Sequence, residues 1–196
     1  MNIARRGRSV SVIGLLLAGG IGIISSTQTW LTVTRADAGE PILVAGADAM
    51  ALLAPLSLAV LAVGAALALV GRTLRYIFAA LALFAGALLT WWTAEILFAT
   101  PISAVAPTVT ETTGLAGSTT IADMIATIEP SAWPVLALIG WVLLIVTALF
   151  ALATAHRWKS GGRRFRTDAA AHGEQEGPVD AIDSWDDLSR GTDPTR

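Results

Sequence analysis

Four stretches of this chain are each long and apolar enough to cross a bilayer, and that limits the possible folds more than any other feature. A hydrocarbon core about 30 Å thick takes roughly 20 consecutive apolar residues as a helix, because backbone polar groups in lipid must pair within their own segment. The stretches run from about Val10 to Trp30, Met50 to Gly71, Tyr76 to Ala99 and Trp133 to Ala155. None holds Lys, Arg, Asp or His, and Glu95, near one end of the third, is the only acid inside them. Composition agrees: 14% of the residues are charged, where a soluble domain carries about a quarter. The expected fold class is an all-α membrane protein with four transmembrane helices in a compact bundle.

Basic residues set the expected direction, since cytoplasmic flanks are enriched in Lys and Arg. Arg5, Arg6 and Arg8 precede the first stretch, Arg72 and Arg75 lie between the second and third, and Arg157, Lys159, Arg163, Arg164 and Arg166 follow the fourth. The opposite side has Arg35 against Asp37, Glu40, Asp48, Glu111, Asp123 and Glu129. Residues 1–9 and the tail 156–196 are therefore expected in the cytoplasm, with outer loops at 31–49 and 100–132. An alternative stays open for the first stretch: arginines, an apolar run and then Ser25, Ser26 and Thr27 also suit a cleaved signal peptide, which would leave three spans. The length of the run and Trp30 at its end favour retention.

Indole rings prefer the headgroup level, so Trp30, Trp91, Trp92 and Trp133 mark the expected outer boundary and Trp158 the inner one. Trp91 and Trp92 precede Glu95 by four and three residues, which on a helix brings all three toward one face. They are candidates for an outer ligand cluster holding a cationic or aromatic molecule, or else an aromatic belt. Gly14, Ala18, Gly22 and Ser26 recur at the spacing that lets helices approach closely. Gly64 with Ala68, and Ala82 with Gly86, form shorter seams. Such a stripe can close on this chain or on a neighbouring protein.

The loop 100–132 is expected to be mostly irregular, apart from Ser118 to Glu129. There Ile121, Met124, Ile125 and Ile128 follow helical spacing, with Asp123 and Glu129 on polar positions and Pro130 as a stop. This predicts a short amphipathic outer helix, either a lid or a cover over the bundle mouth. The tail from His156 is expected to be mostly disordered. Its basic run Arg163, Arg164 and Arg166 would attract anionic lipid headgroups. Further on, Ser184 and Gly191 bracket a short helical pattern in which Trp185 and Leu188 share a face. So short a helix needs a surface to fold on, which makes Trp185, Leu188 and Arg190 candidates for docking a cytoplasmic or membrane protein partner.

Catalytic motifs are missing. The chain has no cysteine, and no phosphate-binding glycine loop, HExxH or GxSxG pattern occurs. His156 and His172 lie outside the spans, so haem ligation between spans is excluded. Neither an enzyme, a cofactor nor a nucleic-acid partner is expected.

Several features together resemble one family. These are Arg6 before the first stretch, Trp30 ending it, the Ala-rich second stretch running into Arg72 and Arg75, and the run Arg163-Arg164-Phe165-Arg166. Above all there is the terminal Ser184-Trp185-Asp186-Asp187-Leu188-Ser189-Arg190-Gly191-Thr192-Asp193-Pro194-Thr195. The chain resembles the actinobacterial tryptophan-associated transmembrane protein family along nearly its whole length, with the terminal pattern the more specific part. That family usually has Ala after Trp-Asp, where this chain has Asp187. The resemblance implies a small integral membrane protein encoded among tryptophan biosynthesis genes, and it carries over no catalytic residues. The leading expectation is a non-enzymatic accessory or scaffold protein of the plasma membrane whose tail binds a partner. The alternative is transport or export of tryptophan, indole or a related aromatic.

Overall fold

The computed structural model describes residues 3–158. In chain order these form α1 (Ile3–Ser26), β1 (Thr29–Arg35), β2 (Ile42–Ala45), α2 (Gly46–Ala49), α3 (Leu53–Leu67), α4 (Arg72–Ala99), α5 (Ile102–Thr113), α6 (Ser118–Met124), β3 (Ile125–Pro130) and α7 (Trp133–Thr154), then a short 3-10 turn, Ala155–Arg157. Three helices are long and apolar enough to cross a membrane: Gly7–Ser26 within α1, Thr73–Ala99 within α4, and α7.

Local chemistry accounts for the helix ends. In α1, the Ser26 hydroxyl donates back to the Ile23 carbonyl at 2.7 Å and Thr27 to that of Ile24 at 2.9 Å, so carbonyls orphaned at the C-terminus are satisfied locally. At the end of α4, Thr100 turns left-handed at φ 38° and Pro101 follows, so the helix cannot continue. Pro134 sits in the first turn of α7, where its missing N–H costs nothing, and the Trp133 N–H is capped by the Ser131 hydroxyl at 3.2 Å. Pro55 likewise sits in the first turn of α3. α3 is a helix of 15 residues, ~22 Å long at 1.5 Å per residue, shorter than the expected span of residues 50–71.

The long helices pack through small residues. α1 lies against both α3 and α7, and α7 against α4. A side chain at Gly14 would meet Thr147 at 2.5 Å, one at Gly22 would meet the Ser57 hydroxyl at 2.2 Å, and one at Gly19 would meet Leu61 at 2.8 Å. Gly64 faces Leu15, and Gly86 faces Leu144 and Ile145. In lipid there is little hydrophobic drive between helices, so close backbone approach and dispersion hold such contacts.

Connectivity carries the chain back and forth between two ends. Gly7, Arg75 and Trp158 meet at one end. At the other, Gly46 packs on Trp30 and donates its N–H to Gln28 O at 2.9 Å. α3 therefore runs from the second end back to the first.

This second end departs from the all-α expectation, because it carries a three-stranded antiparallel sheet in the order β2-β1-β3. The strands are rich in Thr, Val and Ile, which suit a pleated, half-buried surface. Val33 pairs with Ile42 on one side and with Ile128 on the other. The Ser131 hydroxyl donates to Thr29 O at 2.6 Å, and its N–H to Trp30 O at 2.8 Å, clasping β3 onto β1.

Two further expectations change here. The loop 100–132 is not irregular, since α5 buries Ala104, Val105 and Val109 and packs on β2 and α2. The amphipathic helix expected over Ser118 to Glu129 ends at Met124, and Ile125–Pro130 is strand instead. β-branched Ile125, Thr127 and Ile128 favour the strand, and pairing with β1 gives their backbone groups partners that a seven-residue helix end would leave open.

Trp30 is the third change. Expected as a boundary anchor, it lies in β1 with its ring fully buried and its indole N–H donating to the Ser25 carbonyl at 3.0 Å and the Ser25 hydroxyl at 2.9 Å. The strand that begins at Thr29 turns it into the interior instead of along the headgroup layer.

Candidate ligand cavity and buried polar groups

A cavity of about 260 Å³ opens at the sheet end, where three pieces of chain converge. The last turns of α4 supply Trp92, Glu95 and Ile96, the end of α2 and its link to α3 supply Ala49 to Leu52, and the start of α5 with the residue before it supplies Pro101, Ser103 and Ala104. The Thr100 turn and Pro101 fold α5 back beside the end of α4. Met50 and Ile96 are buried, Trp92 is half-buried, and Glu95 is exposed. An indole, a hydroxyl and a single carboxylate on apolar walls suit a small molecule with an N–H or cationic group. Trp91 does not join them. It is 71% exposed, because one position along the helix turns it out of the face that Trp92 and Glu95 share.

Deeper between the helices, the Ser11 hydroxyl on α1 is buried without a hydrogen-bond partner, whereas other polar groups are paired. The Trp141 indole N–H, fully buried, donates to the Thr93 hydroxyl at 3.1 Å and joins α7 to α4. The Ser57 hydroxyl donates to Leu53 O at 2.7 Å within α3. Of the small-residue stripe, Gly14 faces Thr147 on α7, Gly22 faces both Ser57 on α3 and Trp141 on α7, and Ala18 and Ser26 are buried. Trp141 stands well inside an apolar stretch of the sequence, but Thr93 as its partner could be known only from the packing of α7 on α4.

At the opposite end, Arg75 is not the exposed flank that its place in the sequence suggests. It sits in the first turn of α4 at 2% exposure, 5.3 Å over the Trp158 ring, and its Nη1 donates weakly to the Trp158 carbonyl at 3.4 Å. The Trp158 indole in turn donates to the Thr154 hydroxyl at 3.1 Å.

On the sheet side, Arg35 donates to Asp37 in the link between β1 and β2, and the Gly39 N–H donates to the same carboxylate at 3.0 Å. The Arg35 hydrogen bond, then that of Gly39, hold the Asp37 carboxyl below its ordinary value. Among the described residues, no three His, Asp or Glu side chains gather into a metal-ligand set. Trp185, Leu188 and Arg190, and the basic run Arg163, Arg164 and Arg166, lie outside the described residues.

A family model described as tryptophan-associated transmembrane protein matches residues 12–195. No curated protein and no solved structure matches the chain.

Proposed function

Since the chain belongs to the tryptophan-associated transmembrane protein family, we propose that it is a non-enzymatic accessory protein of tryptophan biosynthesis. On this reading it spans the plasma membrane four times, with both termini cytoplasmic, and its tail docks a soluble partner. The observation that carries the reading is the close packing of α1 on α3 and α7. Gly14 and Gly22 admit no side chain against Thr147, Ser57 and Trp141, and the buried Trp141 N–H is already satisfied by Thr93. A rigid body of this kind suits holding and positioning better than a carrier, which calls for polar midplane groups or broken helices.

The four-span part rests on connectivity. α3 is shorter than the bilayer core, but it leads from the sheet end to Arg72 and Arg75, and short helices are accommodated by local thinning or by flanking residues. Basic residues gather at the end where Gly7, Arg75 and Trp158 meet, which under the positive-inside rule is the cytoplasmic one. A cysteine placed at Asp37 and another at Ser160 report the orientation: a membrane-impermeant thiol reagent labels the first alone in intact cells. Labelling of the second alone overturns it.

The docking part is tested by crosslinking in native membranes and recovery of the full chain. A tryptophan-biosynthesis enzyme is expected with the wild type and lost with Trp185→Ala combined with Leu188→Ala; equal recovery from both refutes tail docking. The cavity lined by Trp92 and Glu95 favours one second reading, movement of tryptophan, indole or a related aromatic. Under that reading Glu95→Gln reduces uptake or efflux of the labelled compounds and the tail variant is silent.

A further inference from the structure

Arg75 has five N–H donors, and the structure gives them a single hydrogen bond. Its Nε has no hydrogen-bond partner, and Nη1 has a single long contact, to the Trp158 carbonyl. Among the described residues the one ion pair is Arg35 with Asp37, at the far end of the molecule. The neighbouring charge has the same sign, since Arg8 on α1 lies within electrostatic reach. The N-terminus of α4 also adds the positive end of a 28-residue helix, with Gly71 as its N-cap and no side chain closing its N–H groups.

A guanidinium at 2% exposure with like charges around it is costly unless an anion completes the site. Phosphate fits best. Arg presents a planar fork that pairs with two phosphate oxygens at once, and open helix N-termini bind the same group. The depth agrees as well, because Arg75 lies at the start of a membrane-length helix beside Trp158, a ring type that concentrates at the headgroup level.

We propose that Arg75, Arg8 and the open start of α4 form a binding site for a phosphate group, of the kind carried by an anionic phospholipid headgroup or by free phosphate. Trp158 is its positioning residue: the guanidinium lies over the indole, whose own N–H is anchored on Thr154. The site does not depend on the accessory role argued above.

The test uses the full chain in a neutral detergent. Native mass spectrometry follows retention of phosphatidylglycerol against phosphatidylcholine, and thermal unfolding follows the response to each lipid and to inorganic phosphate. The wild type is expected to retain phosphatidylglycerol at least about tenfold more tightly than Arg75→Gln, the factor carried by one charge-assisted hydrogen bond. Arg75→Lys keeps the charge without the fork and should fall between them, and Arg8→Gln should weaken retention less. Changing Arg163, Arg164 and Arg166 together to Gln should leave the Arg75-dependent difference in place. Stabilisation by phosphatidylglycerol but not by phosphate assigns the lipid as occupant; equal stabilisation by phosphate assigns the free anion. Equal retention by wild type, Arg75→Gln and Arg75→Lys, all folded by circular dichroism, overturns the site and leaves Arg75 as a packing partner of Trp158.

Discussion

Trp30 and Trp141 are both fully buried and both have their indole N–H satisfied, but the two regions that hold them do so differently. At the sheet end, Trp30 is served by Ser25, five residues earlier, while β1 is clasped between β2, the next strand in the chain, and β3, about a hundred residues on. Between the helices, Trp141 is served by Thr93 from another helix and is reached through a seam of glycines. One region brings a local hydrogen bond under non-local cover. The other uses local helices joined by a non-local hydrogen bond. The difference follows from solvent. Water outside can satisfy a loop, so the sheet end needs a core to become ordered, whereas lipid forces each helix to close its own backbone and leaves only packing and a few polar bonds to join them.

Several changes would break or sharpen that contrast. Trp30→Ala removes a fully buried indole at the sheet end and should cost about 3 to 5 kcal/mol, seen as protease cleavage between residues 27 and 52 while helix content by circular dichroism holds. Gly22→Val drives a side chain into Ser57 and Trp141 and should destabilise by about 1 to 3 kcal/mol. Its control is Gly20→Val, where nothing lies within 4 Å, and unfolding in a graded detergent series should barely change; equal effects from both would mean that the seam does not close as described. Trp141→Phe keeps most of the ring and removes only the bond to Thr93. Its expected cost is about 0.6 to 1.7 kcal/mol, the range for single bonds between helices in membranes, and much of it should be absent in a Thr93→Val background.

The smallest effect concerns pH. Because the folded state holds the Asp37 carboxyl below its ordinary value of 3.8, its stabilising contribution is fully present above that value. It is lost as pH falls through the lowered one. The side chain is exposed, so the change is small. Asp37→Asn should lower the stability of the sheet end slightly at neutral pH and flatten its acid side, so that the variant and the wild type converge as pH falls.

Much of the helical body was legible in residue types, because apolar length and the placement of Pro and Gly act locally. Pro134 and the Thr100-Pro101 pair mark helix ends that can be read directly. The sheet was not legible, for reasons that particular residues make plain. Thr29–Arg35 follows the first apolar stretch without a break, so Trp30 looks like the end of a span. Ile121, Met124, Ile125 and Ile128 have helical spacing, and β3 shows no strict alternation of buried and exposed positions, so nothing in its pattern announces a strand. In the cavity, one residue of register separates Trp92 from Trp91, and helical spacing alone allowed both to face Glu95.

The sequence by itself determined that this chain carries long apolar helices, that it is built for a bilayer, and through its terminal pattern which family it resembles. Each of those conclusions depends on a short segment meeting its solvent on its own terms. Only the tertiary structure decided that Trp30 is core and not anchor, that β3 pairs with β1 across about a hundred residues, that Trp141 finds Thr93, and that Arg75 is buried with no carboxylate beside it among the described residues. Strand pairing and the partners of buried polar groups are properties of two distant segments at once, and composition read along one segment does not contain them.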